Sequence, residues 1–187
     1  MEEKRGVEAS YEFDTKNFIN SFIGVAKTVL TKPNDFYQHM PTTGGFSRPV
    51  TFLAVCLGVS GIIAAIITGG SPLIFFKLLI IGLIFSFIGA GVLHFIAQKL
   101  FVGKGEFEGT YRVVAYAGAV DLLAVELLAW IPILGILAAL YGFYLQVVGL
   151  EKVHRITSGQ AVITILIALA IYLILSLLVG GFFFTMR

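Results

Sequence analysis

Between Asp14 and Leu30 the apolar residues Phe18, Ile19, Phe22, Ile23, Val25, Ala26, Val29 and Leu30 recur at the spacing of a helix with one hydrophobic stripe. Asp14 stands where an amino-terminal cap belongs and Pro33 follows the last apolar position, so the pattern predicts an amphipathic helix over residues 13–31. Lys16, Asn17, Asn20, Lys27 and Thr28 fill its other faces and make it too polar to span a bilayer. Two readings fit. In one, the helix lies among lipid headgroups, with Lys16 and Lys27 toward anionic lipid and Phe18 and Phe22 toward the acyl chains. In the other, it packs on the cytoplasmic ends of membrane spans. Residues 1–12, rich in Glu, Lys and Arg, are expected to form a disordered cytoplasmic tail.

After a turn-rich linker, residues 32–49, the pattern changes to long apolar runs near 50–68, 73–97, 113–130, 132–150 and 161–184. Each is close to the ~20 residues a helix needs to cross the hydrocarbon core. The expected fold is therefore all-α, an integral membrane bundle of five transmembrane helices preceded by an amphipathic interfacial helix. Polar loops are expected over 98–112 and 151–158. Eleven Lys and Arg residues fall before the first run and in these two loops, which predicts a cytoplasmic amino terminus and an external carboxyl terminus.

Composition agrees with a bilayer protein and narrows its partners. Hydrophobic residues make up 58% of the 187 positions, above the roughly 45–50% of soluble domains. The net charge of +2 is not gathered on one segment, which argues against a nucleic-acid partner. Membrane lipids, a second copy of the chain or other membrane proteins are the expected partners. A single cysteine, Cys56, excludes an intrachain disulfide and a multi-thiolate metal site.

Several strings are similar to one family. Lys32-Pro33-Asn34-Asp35-Phe36-Tyr37, then Met40-Pro41 and Arg48-Pro49-Val50-Thr51-Phe52, resemble the opening segment of the Yip1-domain family. Gly103-Lys104-Gly105-Glu106-Phe107-Glu108-Gly109-Thr110-Tyr111-Arg112 resembles its central loop, and Val148-Gly149-Leu150-Glu151-Lys152-Val153-His154 its last one. The resemblance implies a polytopic membrane protein without catalysis, whose eukaryotic relatives act in vesicle traffic and contact Rab GTPases. The Asp-Leu-Tyr-Gly-Pro string of the eukaryotic branch is absent, which suits a prokaryotic member, and the tail is too short for a small GTPase to dock on.

Ionisable groups inside a span cost about 2.5–3.5 kcal/mol at the bilayer centre and each needs a reason. Lys77 and Glu126 lie at about 7.5 and 6 Å from the outer boundary at a rise of about 1.5 Å per residue, which predicts either an ion pair or two snorkelling side chains. Asp121 falls near the midplane with no basic residue at its depth, while Ser60, Tyr141, Tyr172 and Ser176 stand at matching levels. It reads either as a proton- or cation-linked site or as a neutral acid joining helices by hydrogen bonds. Asp121 and Glu126 project about 140° apart, which counts against a paired-acid hydrolase.

No catalytic constellation, cofactor motif or metal motif is legible, and His39, His94 and His154 lie in separate segments. The glycines Gly103, Gly105 and Gly109 read as a flexible loop. The small residues Gly82, Ser86 and Ala90, Gly135 and Ala139, and Ala138 and Gly142 read as close helix contacts. The function expected is non-enzymatic organisation or recruitment of membrane components, with possible shaping of the bilayer; transport through Asp121 is the alternative.

Overall fold

The computed structural model describes residues 11–68, 72–122 and 131–185. Among these there are helices and no strand: α1 (Phe18–Thr31), α2 (Pro33–His39), α3 (Ser47–Thr68), α4 (Pro72–Phe101), α5 (Phe107–Ala117), α6 (Pro132–His154) and α7 (Ser158–Thr185). A 3-10 turn at Thr15–Asn17 leads into α1, and a second at Gly118–Val120 carries α5 on toward Asp121.

Local chemistry sets several of these ends. Asp14 Oδ1 accepts from Lys16 N–H at 2.9 Å and caps the first turn. Pro33 and Pro132 occupy the opening turns of α2 and α6, where a missing N–H costs nothing. Arg155 stops α6 in the left-handed region at φ 54°. A reciprocal capping box then starts α7: Thr157 N–H donates to Gln160 Oε1 at 2.9 Å, and Gln160 N–H to Thr157 Oγ1 at 3.3 Å.

Among the described residues three helical stretches are long and apolar enough to cross a membrane: Phe75–Phe101, Pro132–His154 and Ser158–Leu177. The apolar part of α3 is shorter among the described residues, Ser47–Ile63. The outward faces are hydrocarbon, with Phe76, Ile84, Ile136, Leu140, Leu166 and Leu177 all more than half exposed. A belt of this kind is unfavourable in water and well solvated by acyl chains, as a membrane-embedded bundle requires.

The largest departure from the sequence reading is α5. The polar loop expected over 98–112 is helical at both ends, because α4 continues to Phe101 and α5 begins at Phe107. Glu108 and Arg112 thus lie inside a helix that is buried on almost every side, and α3, α4 and α6 pack around it. The expected third span continues into residues 123–130, which lie outside the described residues, as does the link at 69–71. The linker over 32–49 contains α2, whose Pro33, Phe36 and Tyr37 are buried.

One cluster of buried side chains joins Phe13, Val25, Val29 and Phe36 to Phe52, Tyr116, Leu145 and Val148. The amino-terminal segment is therefore part of the core. The tail expected over residues 1–12 gives way earlier: Tyr11 packs against this cluster and Glu12 is buried. A second cluster binds α4, α6 and α7 through Leu93, Ala97, Val147, Leu150, Ala161 and Ile165.

Candidate functional site

Arg112 is wholly buried on α5 and gathers four segments around one guanidinium. Its Nε and Nη2 both lie 3.0 Å from Glu108 Oε1, one helical turn back. Nη1 pairs with Glu12, whose other carboxylate oxygen pairs with Arg48 at the start of α3. Nη2 also donates to the Gly45 carbonyl at 3.0 Å, while Gly45 N–H donates to Glu108 Oε1 at 2.8 Å. Gly44 and Gly45 make this approach at φ 121° and 90°, which glycine adopts without strain. Two guanidinium groups thus face two carboxylates, so the charge is balanced and the donors of Arg112 are engaged.

The same segment is tied elsewhere. Tyr116 Oη accepts from Phe13 N–H at 3.3 Å, and Ser21 Oγ accepts from Asp14 N–H at 2.7 Å. Tyr11 donates to Asp35 Oδ2 at 2.6 Å, and this bond to a carboxylate raises the Tyr11 pKa above its ordinary value.

A second polar group joins helices that sequence order keeps apart. Thr110 Oγ1 lies 3.1 Å from His94 Nδ1 and 2.8 Å from His154 Nε2, and the two imidazole centroids are 5.4 Å apart. Gly103 and Gly105 press on this group: a Cβ on either would come 2.7 Å from His154 Nδ1 or Val153 Cγ1, respectively. The segment expected as a flexible glycine loop is instead a tight cover, tied to α6 by Lys104 N–H to the His154 carbonyl at 3.0 Å. Among the described residues, no three His, Cys, Asp or Glu side chains come together as a metal-binding group.

Asp121 follows the second 3-10 turn and lines a cavity of about 780 Å³ together with Gly82, Ser86, Gly142 and Gln146. Ser60 reaches it through the backbone, donating to the Asp121 carbonyl at 3.0 Å. Tyr141 turns the other way and donates to the Leu30 carbonyl at 2.7 Å, which fastens the end of α1 to α6. Tyr141→Phe is expected to lower the stability of the bundle by about 1 kcal/mol, read as a shift in its denaturation midpoint. Ser176 donates to the Leu173 carbonyl at 2.8 Å and lines an adjoining cavity of about 720 Å³ with Tyr172.

On α1, Ser21, Val25, Ala26 and Val29 are buried, and Phe22 packs on Phe13 and Phe52. Lys16, Phe18, Ile19, Ile23 and Lys27 are exposed. Lys77 is exposed, whereas Glu126 lies outside the described residues, so their pairing stays an expectation from sequence.

Sequence reasoning missed the Arg112 network, although Glu108 and Arg112 stand at a helical spacing that signalled it. Gln146 was also missed; its signal was a lone amide inside an apolar run. Nothing in the order of residues announces that His94 meets His154.

Apolar membrane-length helices packed around a neutralised polar core define a helical membrane protein. The model for the Yip1 domain matches residues 27–180, most of the chain, and the chain belongs to the Yip1-domain family. No curated protein and no solved structure matches it.

Proposed function

We propose that this chain is a non-enzymatic, five-span protein of a prokaryotic cell membrane that organises or recruits membrane components and shapes the bilayer. In this reading the amino terminus is cytoplasmic and the carboxyl terminus external, as the distribution of Lys and Arg favours. The partners are membrane lipids together with a second copy or other membrane proteins.

The observation that carries the reading is the face that α1 and the 3-10 turn before it leave uncovered. Lys16, Ile19, Ile23 and Lys27 follow one another at intervals of three and four residues, and Ile19 and Ile23 are 70% and 58% exposed. Apolar side chains flanked by ammonium groups suit the boundary between acyl chains and anionic headgroups. The opposite face is anchored through Val25, Val29 and the Tyr141 bond, so what α1 inserts adds cross-section to one leaflet.

Reconstitution into anionic liposomes tests this. The wild-type chain is expected to tubulate or shrink the vesicles, and the Ile19→Ser, Ile23→Ser double variant, which alters only exposed positions, to leave them unchanged. Equal remodelling by the two proteins refutes the reading. Proton or cation flux that disappears in Asp121→Asn would put transport in its place.

A further inference from the structure

The two cavities beside Asp121 and Tyr172 meet at Val114, Gln146, Ile165 and Leu169, which line both. Each volume lies in the range of roughly 300–1,000 Å³ of sites that hold small molecules. The small residues Gly135, Ala138, Ala139 and Gly142, expected to bring a neighbouring helix close, line the larger cavity instead. A Cβ at Gly142 would find its nearest neighbour, Val120, at 3.7 Å, an ordinary contact that leaves room.

Three features say what would enter. Lining residues Phe85, Ile136, Leu140 and Leu175 are more than half exposed on the hydrocarbon face, so the route in runs through lipid. Among the described lining residues Asp121 is the sole carboxyl group, and no Lys or Arg accompanies it there. Tyr172 Oη, on the wall of the smaller cavity, is buried and has no hydrogen-bond partner among the described residues.

We propose that these joined cavities form a binding site for a lipid-soluble organic cation, held by the Asp121 carboxylate at one end and by Gln146 and Tyr172 further in. Charge decides the sign of the occupant: a carboxylate on an apolar wall attracts a cation strongly because little water screens it. Desolvation decides its kind. A hard metal cation wants about six or more oxygen ligands in place of its water, and these walls are mostly hydrocarbon. An ammonium or phosphonium with apolar substituents sheds little hydration and presents apolar surface that the lining side chains Leu57, Phe143 and Leu169 can cover. Occupancy of this kind is independent of the organising role above and holds whether or not the occupant crosses the membrane.

The test uses the full chain in lipid nanodiscs and a pair of probes of one shape and opposite charge, tetraphenylphosphonium and tetraphenylborate, each corrected for binding to empty discs. Saturable binding of the phosphonium but not the borate is expected, weakened about tenfold or more in Asp121→Asn. Ala139→Phe, which keeps the carboxyl and fills the cavity, is expected to abolish it. Absence of saturable phosphonium binding overturns the proposal, as does equal uptake of both probes. If Asp121→Asn fails to fold, undiminished phosphonium binding by Ala139→Phe overturns it as well.

Discussion

Arg112→Leu is expected to destabilise the bundle by about 3–5 kcal/mol, because it removes one partner of a buried ion pair and strands the other. Glu108 loses its cation outright, and Glu12 keeps only the pair with Arg48; both carboxylates face the space the guanidinium fills. The Gly45 carbonyl loses a donor at the same time. Thermal denaturation in detergent, followed by helical circular dichroism, reads the loss. A control separates charge from volume: Glu12→Gln together with Glu108→Gln in the leucine background is expected to recover part of it, since two neutral amides can be buried where two carboxylates cannot. A midpoint for Arg112→Leu within error of wild type would mean that the network is not closed in the folded protein.

Gly149→Val is the other change expected to be severe. A Cβ at position 149 would stand 2.4 and 2.8 Å from the two γ-carbons of Val113 and 3.1 Å from its Cβ, so α5 and α6 are in contact at this point with no slack. Val113 is itself wholly buried and β-branched, and it has few rotamers in which to retreat. Overpacking of a tight core costs about 1–3 kcal/mol and occasionally more, and here a branched side chain is forced between two helices. The paired change Gly149→Ala with Val113→Ala is expected to restore most of the stability, because it removes both γ-methyl groups that the added Cβ would strike and puts one methyl group in their place. Gly24, by contrast, sits inside α1 with nothing within 4 Å of the place a methyl group would take, and Gly24→Ala is expected to raise the midpoint slightly, since alanine is favoured over glycine in a helix interior by about 0.5–1 kcal/mol.

Both predictions fall where reading the chain in order is weakest. Glu108 and Arg112 look like loop charges because an isolated charged residue is a poor candidate for a core. Their burial becomes affordable only when Glu12 and Arg48, remote in sequence, arrive beside them. The glycines at 103 and 105 look like freedom, yet they are required by the closeness of His154 and Val153. Small residues four apart describe a flat helix face and say nothing of what stands opposite. At Gly149 a neighbouring helix is pressed against it; at Gly142 and Ala139 there is a cavity.

Other elements were legible throughout. The stripe after Asp14, stopped by Pro33, is α1, and the runs near 132–150 and 161–184 fall within α6 and α7. The exposed edge and the buried edge of α1 were both present in its pattern, but which apolar residues would be covered was not. Phe22 went into the core, while its neighbour Ile23 stayed out.

By itself, then, the sequence determined that this protein is helical, where the long apolar helices α4, α6 and α7 run and that they suit a membrane. Those properties follow from the transfer energy and spacing of residues near one another in the chain. Only the tertiary structure decided which charges cancel, which histidines meet and where small residues leave a space instead of a contact. Neutralisation and packing are relations between surfaces that come together only when distant segments fold against each other.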